Sequence, residues 1–276
     1  MVRCAPMVPS RDLAAALEVA TRAATLVREV YDQGFAVEWK GVDDPVTEAD
    51  RRANALAVAL LRERFPADAV CSEEGDLDEG ARESSRGGRC WFVDPLDGTA
   101  EFVQRVDQFS VMVGLAVDGR ARVGAVVNPV TGERFYGEVG VGSFTDDGAG
   151  EPRPLAPSTE GDPSRARMLT SRSHLSPAVV ALAESLGVAS RERCGSIGVK
   201  VGRIASGHAE LYAHLGLGPK LWDACAPEAI AVAAGLSFTD ATGEPVRYDV
   251  GALPLPRGLI VCPPAMLARV VAAAAH

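Results

Sequence analysis

The sequence predicts an α/β protein in two parts, an α+β N-terminal part over residues 1–155 and an α/β C-terminal part over residues 156–276. Three observations carry this: a helical apolar period near the N-terminus, short β-branched and aromatic runs from Trp91 onward, and alternating helix and strand signals beyond a proline-rich stretch. With 276 residues and 47% hydrophobic content, the chain can bury substantial cores.

Leu13, Leu17, Ala20, Ala24, Val27 and Tyr31 recur at steps of three and four after Ser10, a good N-cap, so residues 11–32 read as an amphipathic helix. A second helix is predicted over about 48–64. Between them "WKGVDDPVTEAD" carries Gly41 and Pro45 in a polar stretch, which predicts a mobile loop delivering its acidic end to the second helix. A strand at 69–71 leads into "CSEEG". From Trp91, "CWFV", "SVMVGLAV", "ARVGAVV" and "RFYGEV" predict an antiparallel meander, the middle two joined at Asp118-Gly119, a favoured hairpin turn. Residues 150–165 hold four prolines and mark the boundary between the parts. Beyond it come "RMLT" as strand, helices over 176–187 and 196–206, "ELYAHL" as strand, a helix over 223–234, "SFTD" and "GLIVC" as strands, and a last helix from 264.

Composition narrows the function. With 28 basic against 37 acidic residues, the net charge of −9 has the wrong sign for neutralising a nucleic-acid backbone, so no nucleic-acid polymer is expected as a partner. A small anionic ligand remains compatible, because bound divalent cations reverse the local field where carboxylates cluster. Cys4, Cys71, Cys90, Cys194, Cys225 and Cys262 form no C-x-x-C pair and read as reduced thiols. No signal-peptide pattern is present, and no apolar run reaches the roughly 20 residues that span a bilayer. A cytoplasmic protein without a membrane partner is expected.

The chemistry concentrates in "WFVDPLDGTAEF". Asp94 and Asp97 are separated by Pro95 and Leu96, and Pro95 has no N–H to give a central strand, so a turn is predicted there. In such a turn the two carboxylates and the Leu96 carbonyl can face one point, and hard cations such as Mg²⁺ prefer oxygen donors of this kind. Asp50 at the start of the second helix, Glu73 and Glu74 in "CSEEG", and Asp223 in "LWDACAPEA" can join from other loops. Asp223 is predicted near a helix N-terminus, with Pro227 in the first turn where N–H groups lack partners. Taken singly, Asp50 and Asp223 are ordinary helix caps, and Glu73-Glu74 is a solvated loop. An apolar strand ending in two acids, Gly98 and Thr99 is harder to reduce to turn chemistry. Two other uses of such a turn fail on spacing. Haloacid-dehalogenase-type phosphatases place the second Asp two residues on, and an EF-hand needs acids that "DPLDGTAEFVQR" lacks at its third and twelfth positions.

"DPLDGT" with upstream "EE" and downstream "WD" resembles the lithium-sensitive, Mg²⁺-dependent inositol monophosphatase superfamily. "DDPVTEAD", "CSEEG", "TSRSH", "GSIGVK" and "PKLWDACAPEAIAVAAG" extend the resemblance over most of the chain and look most like its 3'(2'),5'-bisphosphate nucleotidase branch. The resemblance implies a layered αβαβα fold with a metal site between the two parts. It implies that Glu73, Asp94, the Leu96 carbonyl, Asp97 and Asp223 hold two or three Mg²⁺ ions, Asp94 bridging two. Asp50 and Thr99 would act on the attacking water, and Gly98, Ser171, His174, Ser196 and Lys200 would bind the substrate. Physically, "GSIGVK" suits that role, since a helix N-terminus attracts anions and Lys200 lies on the face of Ser196. One departure is Ala100, where the nucleotidase branch often has a basic residue.

The implied activity is hydrolysis of the 3'-phosphate of adenosine 3',5'-bisphosphate to AMP by a monomer or homodimer. The alternatives are an inositol monophosphatase or fructose-1,6-bisphosphatase with the same metal site, and an inactive metal- or nucleotide-binding regulatory protein.

Overall fold

The computed structural model describes residues 9–41, 44–75, 88–249 and 253–275. Helix α1 (Arg11–Gln33) opens on Ser10, whose Oγ accepts the Leu13 N–H at 3.1 Å. Strands β1 (Val37–Gly41) and β2 (Asp44–Thr47) form an antiparallel pair that leads into helix α2 (Glu48–Arg64). The loop predicted over "WKGVDDPVTEAD" is therefore paired strand on both sides of residues 42–43, which lie outside the described residues, as does Cys4. Backbone pairing here overrides the polar, proline-containing composition, because Pro45 needs no N–H in a two-stranded ribbon.

Next come β3 (Ala69–Ser72), β4 (Arg89–Asp97), helix α3 (Thr99–Val103), β5 (Ser110–Val117), β6 (Arg120–Val127), β7 (Arg134–Glu138), β8 (Gly142–Asp146) and β9 (Arg153–Pro154). They make one seven-stranded sheet in sequence order, antiparallel except for the parallel β3–β4 pair. The predicted turn at Pro95 is instead a break inside β4. Asp94 pairs with Met112 and Asp97 with Ser110, and the ladder shifts register between them. Pro95 falls in the irregular stretch, where its missing N–H costs no ladder bond.

The C-terminal part has β10 (Arg167–Ser171), α4 (Pro177–Leu186), β11 (Ser190–Cys194), α5 (Ile197–Ala205), β12 (Leu211–His214), α6 (Leu221–Ala233), β13 (Ser237–Thr239), β14 (Leu259–Cys262) and α7 (Pro264–Ala274). Its five-stranded sheet runs β11-β10-β12-β14-β13. Strand β11 escaped the sequence reading because "SRERC" has no apolar alternation; it is an edge strand with four exposed residues. Helix α6 starts at Leu221 rather than Asp223, which puts Pro227 inside the helix instead of in its first turn.

Side-chain alternation sorts the sheets into layers. Trp91, Val93, Val113, Val123 and Ala125 face α1 and α2, whereas Phe92, Met112, Val126 and Phe135 face α5 and α6. The far side of those two helices packs on Leu169, Tyr212 and Val261 of the five-stranded sheet, and Met168, Leu211 and Ile260 on its other face pack on α4 and α7. The result is an αβαβα stack. The expected boundary at residue 155 falls between the two sheets, although α6 packs directly on the first.

That contact is unusually close. A Cβ at Gly124 would lie 2.2 Å from the Ala226 carbonyl oxygen, and one at Gly114 would lie 2.6 Å from the Ala226 nitrogen. Glycine at both positions lets the backbone of α6 rest against β5 and β6. Among the described residues, no helix is long and apolar enough to cross a membrane. Cys71, Cys90, Cys194, Cys225 and Cys262 are buried free thiols.

Candidate active site

A cavity of about 450 Å³ opens where β4, α3, α5 and α6 meet, lined by Glu73, Asp97, Thr99 and Asp223 together with Ser196, Lys200 and His174. Gly98 gives the chain its turn from β4 into α3, at φ 95°. Asp94 is buried beneath the acidic wall, at 1% exposure.

Asp50 occupies the third position of α2, where Thr47 and Asp50 form a capping box. Its Oδ2 accepts the Thr47 N–H at 2.8 Å and the Thr47 hydroxyl at 2.5 Å. Its other oxygen, Oδ1, lies 3.1 Å from Thr99 Oγ1, which is also 3.1 Å from the Leu96 carbonyl oxygen. The single Thr99 proton serves one of these acceptors at a time. Burial raises the proton affinity of Asp50, partly offset by its hydrogen bonds from Thr47.

Burial and neighbouring charge raise the proton affinity of two of the acids. Asp94 is pushed well above the usual carboxylate range by burial and then by Glu73, Asp97 and Asp223. Asp223 is pushed up to about 6 by burial and by Asp97. Like charges buried together demand a cation, and every donor in this set is an oxygen, which suits a hard ion such as Mg²⁺. The set thus fits the ion in chemistry, but the expected cage is not closed: among the described residues no three acidic, His or Cys side chains gather around one point. Asp97, Asp223 and Asp94 each accept from a local donor. Asp97 Oδ2 accepts from Ser196 Oγ at 2.5 Å and from the Gly198 N–H at 2.9 Å. Asp223 Oδ2 accepts the Lys220 N–H at 2.6 Å, and Asp94 Oδ1 accepts the Leu96 N–H at 3.0 Å. Such charge-assisted bonds stabilise carboxylates that would otherwise repel.

Ser196 lines the cavity and also holds Asp97. It gives its only proton to Asp97, accepts from Val199 N–H, and contacts Ser110 Oγ at 2.9 Å. Its φ of 56° is rare for a residue with a side chain, a strain that these three partners hold in place. The α5 N-terminus, read as a seat for substrate, receives the Asp97 carboxylate. Lys200 is 2% exposed and donates to the Cys194 carbonyl at 3.2 Å, with Tyr212 5.0 Å below its ammonium. Burial lowers its proton affinity, opposed by Asp97 and other acids. Ser171 and His174 line the cavity, joined by a hydrogen bond from the His174 N–H to Ser171 Oγ.

Sequence reasoning missed Glu101, Gln108, Ser173, Tyr212 and Lys220. Glu101 lines the cavity at 4% exposure and accepts from Ser173 Oγ at 2.6 Å. Glu101 lies within the quoted "DGTAEF", and a carboxylate one turn into a short helix after Thr99 was the available signal. Lys220 lies next to "LWD" and stacks its ammonium 5.1 Å over Trp222.

An αβαβα stack with this acid-lined cavity between its sheets is the build of a phosphatase. The chain belongs to the inositol monophosphatase family, which it matches over residues 9–276. It is 32% identical over 233 residues to the 3'(2'),5'-bisphosphate nucleotidase CysQ of Salmonella typhimurium, covering 84% of this chain and 91% of that one. It is 30% identical over 244 residues to inositol monophosphatase 3 of Solanum lycopersicum, covering 86% and 88%. Its fold matches the extragenic suppressor protein suhB of Bartonella henselae with a TM-score of 0.81 at 23% identity, over 96% and 98% of the chains. Members of the family are in general metal-dependent, with Mg²⁺ the usual ion.

Proposed function

We propose that this phosphatase removes the 3'-phosphate of adenosine 3',5'-bisphosphate, giving AMP and phosphate by direct attack of water. The carrying observation is Lys200, a buried ammonium that donates to the Cys194 carbonyl and lines the same cavity as the acids. Burial lowers its proton affinity although Asp97, Glu101 and Asp223 act on it through space, and a substrate with a second phosphate would add a direct ion pair there. The likeness to the Salmonella nucleotidase supports the same substrate class.

Glu73, Asp94, the Leu96 carbonyl, Asp97 and Asp223 are the residues that would hold Mg²⁺. When bound, the ion supplies Lewis-acid charge to the phosphoryl oxygens and favours ionisation of the attacking water. Thr99 directs its proton to Asp50 Oδ1 and turns a lone pair toward that water, and Asp50 is the group that takes the proton onward. Gly98 leaves room beside Thr99 for the phosphoryl group. Ser171, His174 and Lys200 hold the nucleotide end, and Ser196 fixes Asp97. The chain acts on a small molecule in the cytoplasm, as a monomer or homodimer, and lithium inhibits it.

A second reading, an inositol phosphate phosphatase with the same hydrolytic groups, is favoured by Ala100 and by the tomato relative. One panel decides between them: kcat/KM for adenosine 3',5'-bisphosphate, inositol 1-phosphate and fructose 1,6-bisphosphate with Mg²⁺. The first reading requires the bisphosphate nucleotide to lead and Lys200→Met to raise its KM selectively. A lead for inositol 1-phosphate overturns it, and absence of any turnover overturns both.

A further inference from the structure

We propose that Glu101 and Gln108 are positioning residues that set substrate specificity by holding the turn at residues 171–174 in register with Thr99. Both belong to the segment that begins at Thr99 and runs through α3 into β5. Glu101 Oε1 accepts the Ser173 hydroxyl at 2.6 Å. Gln108 Oε1 accepts two donors at once, Arg172 Nε at 3.0 Å and the Gly195 N–H at 3.0 Å. One side-chain oxygen thereby ties the end of β10 to the start of α5. The fit is close: a Cβ at Gly195 would lie 2.4 Å from the Gln108 carbonyl oxygen and 2.5 Å from Glu101 Cγ.

The arrangement gives Glu101 a purpose that solvation cannot. A carboxylate in a cavity built for phosphates repels the substrate, so its presence at 4% exposure calls for a compensating task. Holding Ser173 is that task. Ser171 and His174 lie on either side of Arg172 and Ser173 and line the cavity, so the tie fixes the part of the wall that this turn supplies. A small phosphate monoester occupies only the end at Asp97 and Thr99. A larger one reaches the turn and depends on where the turn sits.

The inference rests on the phosphatase reading, and its test separates the two. Glu101→Ala, Ser173→Ala and Gln108→Ala are compared with Glu101→Gln, whose amide oxygen still accepts from Ser173. Amide hydrogen exchange at 172–175, measured without substrate, is expected to quicken about tenfold in the three alanine variants and to stay at the wild-type rate in Glu101→Gln. KM for adenosine 3',5'-bisphosphate is expected to rise about tenfold in the same three, while kcat/KM for 4-nitrophenyl phosphate changes less than about threefold. Unchanged exchange, or equal losses on both substrates, overturns the proposal. Failure of the substrate reading appears separately, as wild-type protein that ignores the bisphosphate, and the exchange rates then still decide whether the tie exists.

Discussion

Thr99 Oγ1 and Asp50 Oδ1 lie 3.1 Å apart, joining the first turn of α3 to the first turn of α2 across 49 residues of chain. In the proposed mechanism the pair carries the proton away from the attacking water. Thr99→Ala and Asp50→Asn are each expected to lower kcat by about 10²- to 10⁴-fold with little change in KM. Asp50→Asn also weakens the capping box, by about 1 kcal/mol. Steady-state kinetics and urea unfolding of the same preparations measure the two effects separately; a kcat within threefold of wild type would remove the pair from the mechanism.

Asp94 gives a prediction of opposite signs. It is buried among other carboxylates, so Asp94→Asn is expected to stabilise the ion-free protein, on the order of 1–3 kcal/mol, while nearly abolishing turnover. Wild-type protein is expected to melt higher as Mg²⁺ is added and to lose activity in EDTA, and the variant to show a much smaller thermal response. Calorimetry with and without Mg²⁺ checks this, and an undiminished Mg²⁺ response in the variant would contradict it.

Glu228, 7% exposed behind the site, accepts the Tyr248 hydroxyl at 2.5 Å, and burial pushes its carboxyl up to about 7. A raised carboxyl favours folding while protonated. Its contribution is fully present below its unfolded value near 4.5 and is lost as pH rises through about 7. Glu228→Gln keeps an acceptor for Tyr248 and removes the ionisation. Relative to wild type, the variant is expected to gain stability across that window, by at most about 3 kcal/mol. Denaturant midpoints at pH 5 and pH 8 test it; parallel shifts at both would show that Glu228 does not titrate there.

Gly124→Ala drives a methyl group into the Ala226 carbonyl. A loss of about 1–3 kcal/mol is expected, together with lower kcat, because α6 carries Asp223. A variant of unchanged stability, measured by chemical denaturation, would mean that helix and sheet separate easily.

Much of this was legible in the sequence. Helix α2 spans the residues expected for it, Glu48–Arg64, and the meander from Trp91 follows from β-branched runs that favour strands. "DPLDGT" pointed to the cavity that Asp97, Gly98 and Thr99 line, because two acids and a hydroxyl at a strand end have few structural uses. Other features were hidden for physical reasons. The β1–β2 pair depends on backbone bonds rather than side-chain pattern, and β11 lies at an edge where apolar alternation is not required. The resemblance implies substrate binding by Ser196, and only the folded chain reveals that its hydroxyl and the N-terminus of α5 hold Asp97. Glu101 and Gln108 act across more than sixty residues, which local spacing cannot express.

The seating of α6 on Gly114 and Gly124 brings helix and sheet backbones together at Ala226, so the approach of the helix that carries Asp223 is limited there by main-chain atoms. The part of the wall supplied by residues 171–174 is built from side chains on a turn and can be exchanged without disturbing that approach. Evolution can therefore retailor what the enzyme accepts while inheriting its hydrolytic frame intact.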